Sequence, residues 1–194
     1  MIDVTHRISA VARSFPYPVE EVWDACTTAE RIQRWLMPVS GELRLGGRYQ
    51  LEGNAGGVIQ RCDPPRSFDA TWEYGGDVSW IALRLEPEGG PDNPGTRFTL
   101  EHIAHVDDAR WTEFGPGAVG VGWDSMILGL VLHLEGDISI TPAEAMAWLV
   151  SPEGVRFVTE SSEAWCAAAV AAGEDPAAAE AAAKRTTAAY TATE

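Results

Sequence analysis

The residues of this chain that could do chemistry are few, and their spacing decides what each can do. His102 and His105 form an HxxH pair. On a strand, residues three apart point to opposite faces, so the pair cannot share a metal ion without a break in the strand. Metal binding is not expected, and no motif implies a cofactor. His102 alone is a candidate general acid or base, its ordinary pKa of about 6.5 lying near neutrality. The simpler role is a core histidine satisfied by a neighbouring hydroxyl or carbonyl. Tyr49 and Tyr74 are the other catalytic candidates, since a phenol can polarise a carbonyl in aldol-type cyclisation or dehydration. Either could equally bind the polar end of a ligand or complete a wall. Asp124 lies in the apolar run VGWDSMILGLVLHLEG, on the flank of a helix, where a solvated or capping carboxylate favoured by the helix dipole is the simpler role.

Other chemistries lack their signatures. GGRYQLEGNAGG is glycine-rich but has neither the GK[ST] ending nor the following helix of a phosphate loop. Glu20 with Glu21, and Asp107 with Asp108, are adjacent surface charges rather than paired catalytic carboxylates. Cys26, Cys62 and Cys166 are odd in number and widely spaced, which suits reduced thiols in a cytoplasmic protein. The N-terminal MIDVTHRISAVARSF lacks the basic start and apolar centre of a signal peptide. Asp and Glu outnumber Lys and Arg by 29 to 14, for a net charge of -15. That field repels nucleic acid and anionic membranes, so neither is an expected partner. The eight tryptophans are then better read as core and cavity than as a platform for stacking bases.

The elements that must position these residues follow a clear order. Ile8 to Phe15 alternates as a first strand. FPYPVEEVWDACTTAERIQRWLMP then changes rhythm: Pro18 opens a helix with Glu20 and Glu21 in its first turn, and Ala29 to Trp35 forms a second helix stopped by Pro38. Short alternating runs come next, at 41–45, 48–51, 57–62, 67–74, 78–86 and 96–105. They are separated by LGG, EGNAGG, DPPR, GGD and PEGGPDNPG, as an antiparallel meander requires. With the first strand they make about seven.

The apolar run follows. Trp123, Met126, Ile127, Leu130, Val131 and Leu134 fall on one helical face, while Asp124, Leu128 and Leu132 fall on the other. A membrane span asks for about 20 predominantly apolar residues. Asp124, His133 and three glycines inside the run argue for a core helix instead. From residue 138 the chain turns alanine-rich, with three helix starts at Thr141-Pro, Ser151-Pro and Asp175-Pro. Each places a capping side chain just before a proline.

This order of elements resembles the helix-grip fold of the START/SRPBCC superfamily. FPYPVEEVWDACTTAERIQRWLMP, LRLGGRY, CDPPRSFDATWEY, LRLEPEGG, GTRFTLEH and GVGWDSMILGLVLHLEG resemble, in that order, its branch of homologues of the heat-shock-protein ATPase activator. The resemblance implies an α+β fold, with a curved antiparallel sheet of about seven strands around a long C-terminal helix. It also implies an elongated apolar cavity between the two. Strand parity then nominates the lining: Tyr49, Trp72, Tyr74, Phe98 and His102 from the strands, Trp35 at the mouth, and Trp123 and Ile127 from the long helix.

The expected organisation is a ligand-binding domain over residues 1–137, with a helical extension over 138–194 packed on it. Leu128 and Leu132 need covering, either by that extension or by a second copy in a homodimer. The expected function is binding of a small, largely apolar aromatic or acyl ligand. The alternatives that the superfamily brings are a cyclase or dehydratase acting on a polyketide-like substrate, and a chaperone-activating co-chaperone.

Overall fold

The computed structural model describes residues 6–106, 108–136 and 138–192. Residues 1–5, 107, 137, 193 and 194 lie outside the described residues, and with them the first five residues of MIDVTHRISAVARSF, the Asp107 charge and the expected boundary at residue 137. Strand β1 (His6–Phe15) leads into helices α1 (Val19–Thr27) and α2 (Ala29–Trp35). Six strands follow: β2 (Val39–Gly41), β3 (Arg48–Leu51), β4 (Gly56–Asp63), β5 (Ser67–Tyr74), β6 (Asp77–Gly90) and β7 (Asn93–His105). Helices α3 (Asp108–Phe114), α4 (Gly117–Gly136), α5 (Pro142–Leu149), α6 (Pro152–Ala171) and α7 (Pro176–Thr191) complete the chain. All strand pairs are antiparallel, in the order β1-β7-β6-β5-β4-β3-β2. This is the α+β, seven-stranded helix-grip arrangement expected.

Three parts of the chain differ from expectation. β6 runs on to Gly90 and β7 starts at Asn93, so most of PEGGPDNPG, expected as a separator, is paired strand. The first strand after Pro38 covers Val39–Gly41 rather than 41–45. Gly41 has φ 98° and Gly46 φ 76°, a left-handed backbone that breaks a strand. The chain between them turns through Arg44 N–H to Glu42 O and Gly47 N–H to Arg44 O. Helix α3, DARWTEF, was not expected, because seven residues are too few for a helical period to stand out.

Compactness divides the chain into two units, and the division falls inside α4. The sheet unit is His6–His105 with Leu128–Thr141; the helical unit includes Val106–Ile127 and Pro142–Glu194.

In the sheet unit, residues opposite each other across the ladders share a face. One row runs Val11, Leu100, Leu83, Phe68, and the next Ser9, His102, Ile81, Ala70. Phe98 and Leu85 extend the same face. Leu83, Leu85, Phe98 and Leu100 are all buried. Phe15 meets Phe98 edge-on, ring centroids 5.9 Å apart, and Trp23 of α1 meets Phe68 at 6.2 Å. The end of α4 docks on α2: a Cβ on Gly129 would collide with the Trp35 carbonyl oxygen. Nearby, Arg31 Nε donates to His133 Nε2 at 3.2 Å, and Arg31 also pairs with Glu21 and Asp24.

In the helical unit the caps form as their residues suggest. Ser151 Oγ accepts from Gly154 N–H at 3.1 Å, and Asp175 Oδ1 accepts from Ala178 N–H at 2.9 Å. The first half of α4 presents glycines where the tail helices come close. A Cβ on Gly120 would run into the Trp165 indole, and one on Gly117 would press on Thr186. Asp124 accepts from Ser161 Oγ at 2.6 Å and from Trp165 Nε1 at 3.0 Å. It is a buttress for α6, not the solvated or capping carboxylate expected from the sequence. These contacts explain why residues up to Ile127 group with the tail. Helix α4 is long and apolar enough to cross a membrane, yet half of its most apolar stretch is buried within the protein.

Candidate functional site

The inner face of the sheet gathers some of the expected pocket residues and leaves others apart. β7 carries Phe98, Leu100 and His102 inward. β6 sets Ile81 opposite His102, and β5 sets Trp72 opposite Ser79. The Trp72 and His102 rings stand 6.3 Å apart, tilted by 60°. His102 and Ser79 form the polar centre of this group, with His102 Nε2 2.7 Å from Ser79 Oγ. Ser79 was legible only as an inward residue by parity; its role as partner of His102 carries no separate sequence signal.

The direction of that hydrogen bond can be deduced. Ser79 Oγ donates to the Trp72 carbonyl oxygen at 3.1 Å. A hydroxyl has one proton, so toward His102 it accepts, and His102 Nε2–H donates. Burial disfavours the imidazolium and lowers the His102 pKa to about 4. The ring is therefore neutral at pH 7, with its Nε2 proton committed to Ser79.

Tyr49 is committed in the same way. Its hydroxyl donates to the Thr71 carbonyl oxygen at 2.7 Å. Burial, and secondarily the charge of Glu73, push its pKa up. Gly57, opposite Tyr49 in the ladder, has no room for a Cβ beside that same Thr71 carbonyl. Strand parity sets Thr71 on the face opposite Trp72, the side that would meet water. Thr71 is buried, because its hydroxyl accepts from Val58 N–H at 2.8 Å where the β4–β5 ladder is irregular.

The remaining candidates are placed as follows. Trp35 is half-buried and donates its indole N–H to Ala25 O at 2.9 Å. Tyr74 ends β5 beside the Gly75–Gly76 turn and is 60% exposed, so it stands apart from Trp72 and His102. Trp123 and Ile127 are buried residues of α4 in the helical unit. His105, on the opposite face of β7 from His102, packs edge-on against Trp80 at 5.6 Å. Among the described residues, no group of three or more His, Cys, Asp or Glu gathers as a metal site would.

Comparison with known proteins places this geometry among relatives. The model of the family described as "Activator of Hsp90 ATPase homolog 1-like protein" matches residues 16–135. The crystal structure of CalU16 from Micromonospora echinospora is similar at 37% identity, covering 84% of this chain and 88% of that one, with a TM-score of 0.67. Its solution structure covers 89% of this chain, an extent that cannot be reached without part of the region after α4. MLL2253 from Mesorhizobium loti has the same fold at 22% identity and a TM-score of 0.57; 97% of that chain matches, but only 66% of this one. DynU16, of the dynemicin biosynthetic locus, shares the fold at 20% identity and a TM-score of 0.59, over 68% of this chain and 48% of that one. No curated protein matches the chain.

Proposed function

The chain belongs to the Activator of Hsp90 ATPase homolog 1-like family, and from that premise we propose that it binds a small, largely apolar aromatic or acyl ligand on the inner face of the sheet. One observation carries this reading: the polar groups there already satisfy one another. His102 donates to Ser79, Ser79 to Trp72 O, and Tyr49 to Thr71 O. What the face offers a ligand is ring and hydrocarbon surface from Trp72, Ile81, Phe98 and Leu100, the composition of an apolar site with few polar contacts. Trp35 remains in the proposed lining at its mouth, and Tyr74 at its rim. The free thiols suit a cytoplasmic location.

The enzyme reading, a cyclase or dehydratase working on a polyketide-like substrate, has less support. A histidine with a pKa of about 4 is a weak base and, being neutral, no strong acid at pH 7. Tyr49 has its proton engaged and its ionisation suppressed by burial. The two readings separate in one experiment. A panel of fused-ring aromatic and medium-chain acyl compounds is titrated while tryptophan fluorescence, melting temperature and product formation are followed. Binding at a hundred times Kd stabilises by about 2.7 kcal/mol, a rise of several degrees. Fluorescence change and a raised melting temperature without product favour the carrier. Turnover abolished in a His102→Ala variant that still binds favours the enzyme. A panel that moves nothing ends the binding reading.

A further inference from the structure

We propose that the helical unit holds a separate small-molecule site of its own, built for a neutral molecule with an apolar body and one hydroxyl or similar hydrogen-bonding group. A cavity of about 90 Å³ lies among α3, the start of α4, α6 and α7, walled by Trp111, Phe114 and Trp165, with Ser162, Cys166 and Glu174 also on its lining. The rest of the lining is mainly alanine and glycine.

Ser162 points to a ligand. It is 1% exposed, and its hydroxyl finds no hydrogen-bond partner among the described residues. Helical hydroxyls elsewhere in this chain bond back to the carbonyl four residues earlier, as Thr159 does to Val155 O and Ser125 to Val121 O. Ser162 does not, and a buried hydroxyl left unpaired is costly. A ligand hydroxyl in the cavity supplies the missing partner. The neighbouring polar groups are otherwise engaged: Ser161 and Trp165 bond to Asp124, and Trp111 Nε1 donates to Glu174 Oε1 at 2.9 Å.

Size and charge set the ligand class. An apolar cavity of about 150 Å³ holds benzene, so one of this volume suits about four heavy atoms. The Glu174 carboxylate on the lining repels an anion. Indole, phenyl and methyl walls make a bare charge of either sign expensive to bury. A short-chain alcohol meets all three conditions.

The test is a titration of the full chain with 1-propanol, followed by the indole N–H resonances of Trp111 and Trp165. The expected result is a saturable shift of both, weakened about tenfold in Ser162→Ala. The site is overturned if saturating 1-propanol leaves both resonances unmoved, or if Ser162→Ala responds as the native chain does. Tighter binding of propylammonium than of 1-propanol overturns the ligand class. The native titration needs no variant, so a misfolded Ser162→Ala does not shield the proposal. The resonances are those of Trp111 and Trp165, not Trp72, so failure here is distinguishable from failure of the sheet-face reading.

Discussion

His102 Nε2 lies 2.7 Å from Ser79 Oγ, and because Ser79 spends its own proton on the Trp72 carbonyl, the histidine is the donor. A ring held neutral by burial in this way links the candidate site to the pH dependence of the fold. A histidine with a folded pKa of about 4, against 6.5 when unperturbed, binds fewer protons folded than unfolded. Its contribution to stability is full above pH 6.5 and is lost as pH falls toward 4. Urea unfolding at pH 7.5 and pH 5 is expected to show a loss of about 2 kcal/mol from this residue. His102→Asn is expected to flatten that part of the profile.

Tyr49→Phe removes the hydroxyl that satisfies Thr71 O. The expected cost is about 1 kcal/mol in denaturant unfolding. If Tyr49 is wall and not catalyst, ligand affinity changes by less than about threefold, or 0.65 kcal/mol.

Asp124 holds two donors from α6. Asp124→Ala leaves both without their acceptor and is expected to destabilise the chain by about 1–3 kcal/mol. A double-mutant cycle with Trp165→Phe checks the origin of the loss: the coupling should be favourable and larger than about 0.5 kcal/mol.

Gly129→Ala drives a methyl group into the Trp35 carbonyl. Backbone cannot step aside as a side chain does, so a loss of about 1–3 kcal/mol is expected. Gly136→Ala meets only the Ile138 side chain, at 3.3 Å, and is expected to be the milder of the two in thermal melts.

Much of the fold was legible because its signals are local. Pro18, Pro152 and Pro176 sit at or next to helix starts. Arg48–Leu51 and Ser67–Tyr74 alternate between turn residues and form strands with those same limits. Parity likewise put Phe98 and His102 on one face. What parity could not show is how the sheet departs from regularity. The shift between Ile59 and Arg61 goes with a buried Thr71, and Tyr74 ends beside two glycines of positive φ, out in solvent. Nor could it show pairing across distance. Asp124 meets Trp165 only because Gly120 lets the indole approach, and nothing in the spacing of those residues says so.

The central claim is that the inner sheet face binds an apolar ligand beside Trp72 and His102. Its most direct test is the indole N–H resonance of Trp72 and the ring resonances of His102, followed while a fused-ring aromatic such as 2-naphthol, and then a medium-chain acyl compound, is titrated into the full chain. The account predicts saturable shifts of both residues with at least one of the two ligand classes, weakened about tenfold or more in Trp72→Ala. Ligands that leave both residues unmoved, or that bind equally well to Trp72→Ala, would contradict it.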